Sequence, residues 1–375
     1  MKLTLDALKS VVASYVDSNK ISLETFVETR ANSVGLLDTI AKIFTIESRY
    51  VDKLDIFDGE DLSYGKTIEE WQADLILPES YDSTGANALA PHDSTYRPVS
   101  FSYTLGRVKI PQTIRNNDVE RAVHNAEQFG EIIASKTKAM YDSERVFRYD
   151  VKKQGLGEIA ERCVYVQDAS NADVTIASLA TAVGQAMAVN ELLAINGENY
   201  IVEKAITTTT LTGQQLLDGG YIVKLDLVET LAKPVDATTG EAFVESIKKA
   251  VEIASDNSEG HSLNGNTLGA VEGLVLIVKH GVMPSIEVKT QAGAFHEDKI
   301  ALPTRVIAVA DFGNLSSDAE DVYAILLDVR GMRLHNSYRA VRENMNGDGD
   351  FLNLFFHTEN TLHISKNTFV RVYTA

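Results

Sequence analysis

The sequence predicts an α+β fold, and three observations carry the prediction. Two alternating apolar runs flank a polar tip between residues 63 and 113. A helical stripe then holds for roughly ten turns. Beyond residue 237 strands and helices alternate, and the chain closes in strands.

Residues 1–62 read as short amphipathic helices. Leu5, Leu8, Val11, Val12, Tyr15 and Val16 form one stripe, and Val34, Leu37, Ile40, Ala41 and Phe44 form another. In the run Lys66 to Pro78, Trp71, Ala73, Leu75 and Leu77 alternate. The return run places Val99, Phe101, Tyr103 and Leu105 between Ser100, Ser102 and Thr104, the period of a half-exposed strand. Sixteen polar and small residues, Glu79 to Ser94, join the two runs into a long hairpin with no evident core of its own. Asn117-Asp118-Val119-Glu120 then reads as a helix start, with an N-cap acceptor and a glutamate three residues on. Val119, Ala122, Val123, Ala126, Phe129, Ile133, Met140 and Phe147 continue the stripe. From Asp118 to Lys153 such a helix spans roughly 54 Å. A compact domain seldom needs a helix and a hairpin of that length together, whereas an assembly subunit does.

Gly155 and Gly157 break the helical pattern. Between Cys163 and Lys224, Thr175 to Leu193 is alanine-rich and helix-prone, Asn196-Gly197-Glu198-Asn199 is a turn, and Ile206 to Thr212 is strand-like. Phe243, Ile247, Ala250, Val251 and Ala254 mark an amphipathic helix. It is followed by a strand (Leu274 to Lys279), a helical stretch (Pro284 to Phe295) and strands Arg305 to Asp311 and Val322 to Val329. The last segments, Met332 to Arg342, Phe351 to Thr358, Thr361 to Ser365 and Thr368 to Thr374, are strands. Asn346-Gly347-Asp348-Gly349 forms a hairpin turn in which Gly and Asn supply positive φ.

A projecting hairpin followed by a long spine helix resembles the tailed-phage major capsid proteins of the Hong Kong 97 fold. Gly65-Lys66-Thr67-Ile68-Glu69-Glu70 opening the loop and Gln112-Thr113-Ile114 closing it are similar to the short-tailed-phage branch. So is Ala324-Ile325-Leu326-Leu327-Asp328 ahead of paired strands. The resemblance implies an N-terminal arm (1–62) leaning on neighbouring subunits, although the residues alone fit helices packed on their own core equally well. It implies an extended hairpin loop at 63–113 and a peripheral domain with the spine helix at 114–160. Residues 161–224 would be an insertion or an enlarged sheet, 225–330 the axial domain, and 331–375 the C-terminal strands of the peripheral domain. It further implies an icosahedral shell of hexamers and pentamers, assembled in a host cytoplasm with a scaffolding protein and a portal. That shell would enclose double-stranded DNA without sequence-specific contacts. The subunit-interface residues would be Trp71, Leu75, Leu77, Phe101, Tyr103 and Leu105, buried by a neighbour. Two other readings stand beside it: an encapsulin-like nanocompartment shell that encloses cargo enzymes, and a soluble α+β enzyme with a dispersed site.

Composition narrows the classes. The 375 residues carry a formal net charge of −18, with a sequence pI near 4.9. A surface built to grip phosphate along its length would be basic; this acidity suits plain solubility, or a container wall that does not hold its contents. The single cysteine, Cys163, excludes an internal disulfide and is expected to be structural. Met1 to Leu5 shows no signal-peptide pattern, and apolar runs such as Leu274 to Val278 are too short for a bilayer, so no membrane partner is expected.

No catalytic, cofactor-binding or metal-ligating residue is predicted. Gly59 and Gly65-Lys66-Thr67 miss phosphate-loop spacing by one residue and precede a strand. Asn344, Asn346, Asp348 and Gly349 begin like a calcium loop, but Phe355 stands where a bidentate glutamate is required. The eight histidines lack metal spacing, and Gly260-His261-Ser262-Leu263-Asn264-Gly265 has one residue too many for a nucleophile elbow. The loop tip Glu79 to Ser94 contains no lysine, so contacts between subunits are expected to be noncovalent.

Overall fold

The computed structural model describes residues 50–62, 68–73, 96–98, 100–115, 126–284 and 304–375. They divide into two compact units. The first takes its residues from 1–66, 103–152 and 334–362, and the second from 67–102, 153–333 and 363–375. The two amphipathic stripes before residue 49, the Asn117 helix start, the hairpin tip and all but the first residue of Pro284 to Phe295 lie outside the described residues.

The first unit is built on a long hairpin, β13 (Met332–Asn346) and β14 (Phe351–Ser365), fifteen residues each. Strand β4 (Val108–Arg115) runs antiparallel to β14, from Phe351 opposite Arg115 to Thr358 opposite Val108. Strand β3 (Ser100–Thr104) also pairs with β14. The two strands expected at Phe351 to Thr358 and Thr361 to Ser365 are therefore one. Alternation sends Leu352, Leu354 and Phe356 into the core, where Tyr141 meets Phe356 edge-on at 5.0 Å. At the hairpin's tip Asn346 Oδ1 accepts hydrogen bonds from the Asp348 and Gly349 amides, 3.0 Å each. The turn is as expected, but the left-handed residue is Asp350, at φ 46°, not a glycine.

The spine helix α1 (Ala126–Gln167) is 42 residues long, about 63 Å. The expectation that Gly155 and Gly157 end it is overturned. Within the second unit Leu156, Ile159, Ala160 and Cys163 are buried, and a Cβ on Gly157 would collide with the Phe312 carbonyl. Glycine costs a helix about 1 kcal/mol relative to alanine, and burial of a single leucine outweighs that. Here glycine is the residue that lets a loop approach the helix.

The second unit holds a five-stranded sheet in the order β11 (Arg305–Val309), β10 (Leu274–Lys279), β12 (Val322–Asp328), β15 (Val370–Thr374), β9 (Val228–Thr230). The β10–β11 and β15–β9 pairs are parallel, and β12 is antiparallel to both of its neighbours. Helix α3 (Ala237–Ala254) starts at a capping box between Asp236 and Thr239. Its buried face, Phe243, Ile247, Ala250 and Ala254, packs with Leu276, Val278, Tyr323, Leu326 and Tyr373. The last strand departs from expectation: β15 lies inside this sheet, between β12 and β9, and not with the peripheral strands.

A separate four-stranded sheet follows α1, in the order β5 (Val174–Ile176), β6 (Leu192–Ile195), β7 (Glu198–Val202), β8 (Ile222–Lys224). It has its own apolar cluster, including Val183, Met187, Leu193, Tyr200, Val202 and Leu216. Asn196 (φ 53°) and Gly197 (φ 83°) turn the chain between β6 and β7, a shorter turn than the expected Asn196 to Asn199, because Glu198 and Asn199 already belong to β7. The helix expected between Thr175 and Leu193 does not form. Val183 and Met187 are drawn into the cluster, and the Met187 backbone bridges Ile206, so tertiary contact overrides alanine's preference. Nor does Ile206 to Thr212 form a strand, because Thr212 instead caps the short helix α2 (Gly213–Asp218) through a capping box with Gln215.

Candidate assembly surface

The root of the loop comes first. Strand β1 (Trp71–Ala73) pairs antiparallel with β2 (Tyr96–Pro98), Trp71 opposite Pro98 and Ala73 opposite Tyr96. Just before β1, Glu70 accepts a hydrogen bond from Asn367 Nδ2 at 3.4 Å and lies 3.7 Å from His363 Nε2. The two ends of the loop are thus clamped to each other and to the chain's late residues.

The six expected interface positions scatter. Trp71 lies in β1 and Phe101 in β3, while Leu75 and Leu77 lie outside the described residues. Tyr103 is 37% exposed, which leaves a large aromatic edge open to solvent. Leu105 is half-buried, and its amide donates to the Asn360 carbonyl at 2.9 Å, which ties it to its own chain.

Sequence reading missed a polar network inside the first unit. Glu144, Arg148 and Lys152 stand four residues apart on one face of α1. Lys152 is fully buried, with its Nζ 2.6 Å from both Asp52 Oδ2 and Asp58 Oδ1. Arg148 reaches Asp58 at 2.7 Å and Asn360 Oδ1 at 3.2 Å. Glu144, also buried, accepts from Arg339 at 2.8 Å and from Thr358 Oγ1 at 3.4 Å. Asn336 Nδ2 donates to both Thr358 Oγ1 and Asn360 Oδ1. Burial pushes the Asp58 carboxyl up, but the Lys152 and Arg148 cations outweigh it and hold the group below its ordinary range. The signal in the sequence was the four-residue charge spacing within an apolar stripe.

Among the described residues, the side chains that could act as nucleophile or base are engaged structurally. Cys163 is fully buried, and burial raises its thiol far above the ordinary range, which leaves it unreactive. Ser262 is buried and donates to Asn266 Oδ1 at 2.6 Å, so it braces a loop. His261 Nδ1 lies 3.1 Å from the Asp226 carbonyl, and burial lowers its pKa. Among the described residues no cluster of His, Cys, Asp and Glu has the arrangement of a metal site, and no helix is long and apolar enough to cross a membrane.

Comparison with known proteins gives this surface its context. A family model described as "Phi29-like phage major capsid protein" matches residues 6–374. Among solved structures, the chain is similar to one in "Structure of head fiber and inner core protein gp22 of native bacteriophage P68". The identity is 11% and the TM-score 0.52, over 86% of this chain and 84% of that one. At that identity the likeness speaks to the fold alone. Fainter likenesses are to the capsid structure of cyanophage P-SCSP1u (9% identity, TM-score 0.49, 88% and 89% covered) and to the mature capsid of bacteriophage PhiM1 (7%, 0.48, 87% and 87%). No curated protein sequence matches.

Proposed function

The chain belongs to the Phi29-like phage major capsid proteins, and from that premise we propose how its parts serve a shell. Its role is structural: it is a major capsid protein and builds the icosahedral capsid of a bacteriophage. The nanocompartment and enzyme readings have no observation in their favour. In our reading the subunits join as hexamers and pentamers, formed in the host cytoplasm with a scaffolding protein and a portal, and enclose double-stranded DNA. The chain's charge of −18 suits a lining that repels packed phosphate and does not bind it. Residues 1–62 act as the arm, 63–113 as the projecting loop, 114–160 and the β13–β14 hairpin as the peripheral domain, and 225–330, with β15 added to its sheet, as the axial domain. Residues 161–224 form an inserted module, a reading supported by the separate sheet and core of β5 to β8.

The observation that carries the loop's role is the β1–β2 pairing, which fixes the root of a hairpin whose alternating face includes Trp71, Leu75, Leu77 and Phe101. A neighbouring subunit buries that face, together with Tyr103 and Leu105, at roughly 25 cal/mol per Å² of apolar surface. Negative-stain imaging of the protein co-expressed with its scaffold tests the reading. Closed particles are expected from the native chain. Trp71→Ala should cut particle yield several-fold while the thermal unfolding of free subunits stays unchanged. Free subunits of Trp71→Ala that unfold or aggregate would place Trp71 in the subunit's own core.

A further inference from the structure

Three Asn–Gly pairs occur in the chain, at Asn196, Asn264 and Asn346, and their surroundings differ. Asn346 and Gly347 are both exposed, at the tip of the β13–β14 hairpin in the first unit. Asn346 Oδ1 accepts hydrogen bonds from the Asp348 and Gly349 amides at 3.0 Å each. Bonds to residues two and three ahead fold the side chain over the Gly347 nitrogen between them. Its amide carbon, Cγ, is thereby held on the side of the nitrogen that closes a five-membered ring with it. Among the described residues the Gly347 amide donates to no acceptor, and the space where a Cβ would stand is open. The nitrogen is neither committed nor shielded, and glycine leaves its peptide free to rotate. The two amide donors have a second effect. When a nucleophile adds to Cγ, negative charge collects on Oδ1, and both N–H groups already point at that oxygen. Paired backbone donors aimed at a developing oxyanion lower the barrier of acyl transfer.

The other two pairs lack this arrangement. Asn264 is buried, the Gly265 amide donates to the Ser262 carbonyl at 3.0 Å, and a Cβ on Gly265 would collide with Ile201. The nitrogen there is committed, and the packing leaves its peptide no room to rotate. Asn196 is exposed but held in the left-handed region at φ 53°, and among the described residues no donor reaches its side-chain oxygen.

We propose that Asn346 is a self-modification site, where the Gly347 nitrogen displaces the side-chain amide and the hairpin tip deamidates in the folded chain. The Gly347 nitrogen gives its proton to hydroxide and bonds to Cγ. The Cγ–Nδ2 bond breaks, and Nδ2 takes a proton from water and leaves as ammonia. Water then adds to one of the two carbonyl carbons of the resulting succinimide and breaks that carbon's bond to the Gly347 nitrogen. Addition at Cγ gives aspartate, and addition at the backbone carbon gives isoaspartate. In sum, one water is consumed and one ammonia released, with no oxidant or further reagent. Either product adds a negative charge beside Asp348 and Asp350, and isoaspartate also carries the main chain through an extra carbon. The inference stands on the single chain and does not depend on how the shell is built.

The test incubates the full native chain at mildly alkaline pH and follows the three pairs by peptide mapping, with isoaspartate and aspartate products separated. Asn346 is expected to convert at least roughly tenfold faster than Asn196 and Asn264. A parallel sample held unfolded in urea should bring the three rates together, because the residue that follows each asparagine is the same. Gly347→Ala, whose Cβ meets open space, should leave the unfolding midpoint unchanged and suppress conversion at Asn346. Conversion of Asn346 in the folded chain no faster than that of Asn196 or Asn264 would overturn the proposal. So would faster conversion of Asn346 in urea than in the folded chain, since the fold would then protect the site. Undiminished conversion in Gly347→Ala would overturn it as well.

Discussion

Where α3 meets the five-stranded sheet, the facing side chains are apolar: Phe243, Ile247, Ala250, Leu276, Tyr323 and Tyr373. Where α1 meets the long β13–β14 hairpin, Tyr141 and Phe356 share the interior with Lys152, Glu144, Asn336 and Thr358, all buried. The first arrangement depends on shape and area, which are non-directional. The second depends on donors finding particular acceptors, which ties α1 to one register against the strands. Apolar contact alone would let a long helix slide on a long hairpin by a turn. A chain that must present the same surfaces in every copy gains from having that slide forbidden.

The contrast can be broken at four places. The largest effect is expected from Phe243→Ala. The ring is fully buried, with centroids 5.5 Å from Tyr323 and 5.2 Å from Tyr373, and its loss should cost about 3–5 kcal/mol in denaturant unfolding. A loss below about 1 kcal/mol would show that the apolar core can collapse around the gap. Next is Lys152→Met, which leaves Asp52 without its buried cation and Asp58 with Arg148 alone, and should cost about 3 kcal/mol. Adding Asp52→Asn and Asp58→Asn should restore most of that loss. If the triple variant is no better than the single one, Lys152 matters for its packed stem and not for its charge.

A smaller effect is expected from acid. The Asp58 pKa is depressed in the folded chain, so its contribution is complete above the unfolded value of about 3.8 and fades as pH falls through the lower folded value. Acid unfolding curves of the native chain and of Asp58→Asn should therefore converge below about pH 4 and diverge above it. Parallel curves across the whole range would remove Asp58 from the acid response. The smallest effect is expected at Lys249, which pairs with Glu245 at 2.7 Å on the exposed face of α3. Lys249→Ala should leave the unfolding midpoint where it is, because exposed pairs are screened by water.

The fold was legible wherever a local pattern and the tertiary environment agree. The stripe of α3, the apolar run of β10 and the Asn346 turn follow period and turn chemistry, and the structure places them within a few residues of expectation. Legibility failed where distant contact decides. Nothing near Gly157 in sequence announces that Phe312 will press against it. Nothing in Thr175 to Leu193 announces that Val183 and Met187 will be claimed by strands and by Leu216. The polar network failed for the opposite reason: Glu144, Arg148 and Lys152 look like a solvated helix face until Asp52, Asp58 and Arg339 arrive from elsewhere in the chain. The loop's interface residues remain a matter of pattern, since the partner that would bury them is another molecule.

The position of β15 bears on the timing of synthesis. Among the described residues, strand β9, at Val228–Thr230, has one neighbour in its sheet, and that neighbour is Val370–Thr374. Strands β3 and β4 likewise await β14, some 240 residues downstream. A ribosome adding roughly 5–20 residues per second therefore holds both sheets open for at least several seconds after their early strands emerge. Pairings so far apart in sequence also close slowly once every strand is present. A nascent subunit is thus kept from a finished surface until residues 370–374 have been made.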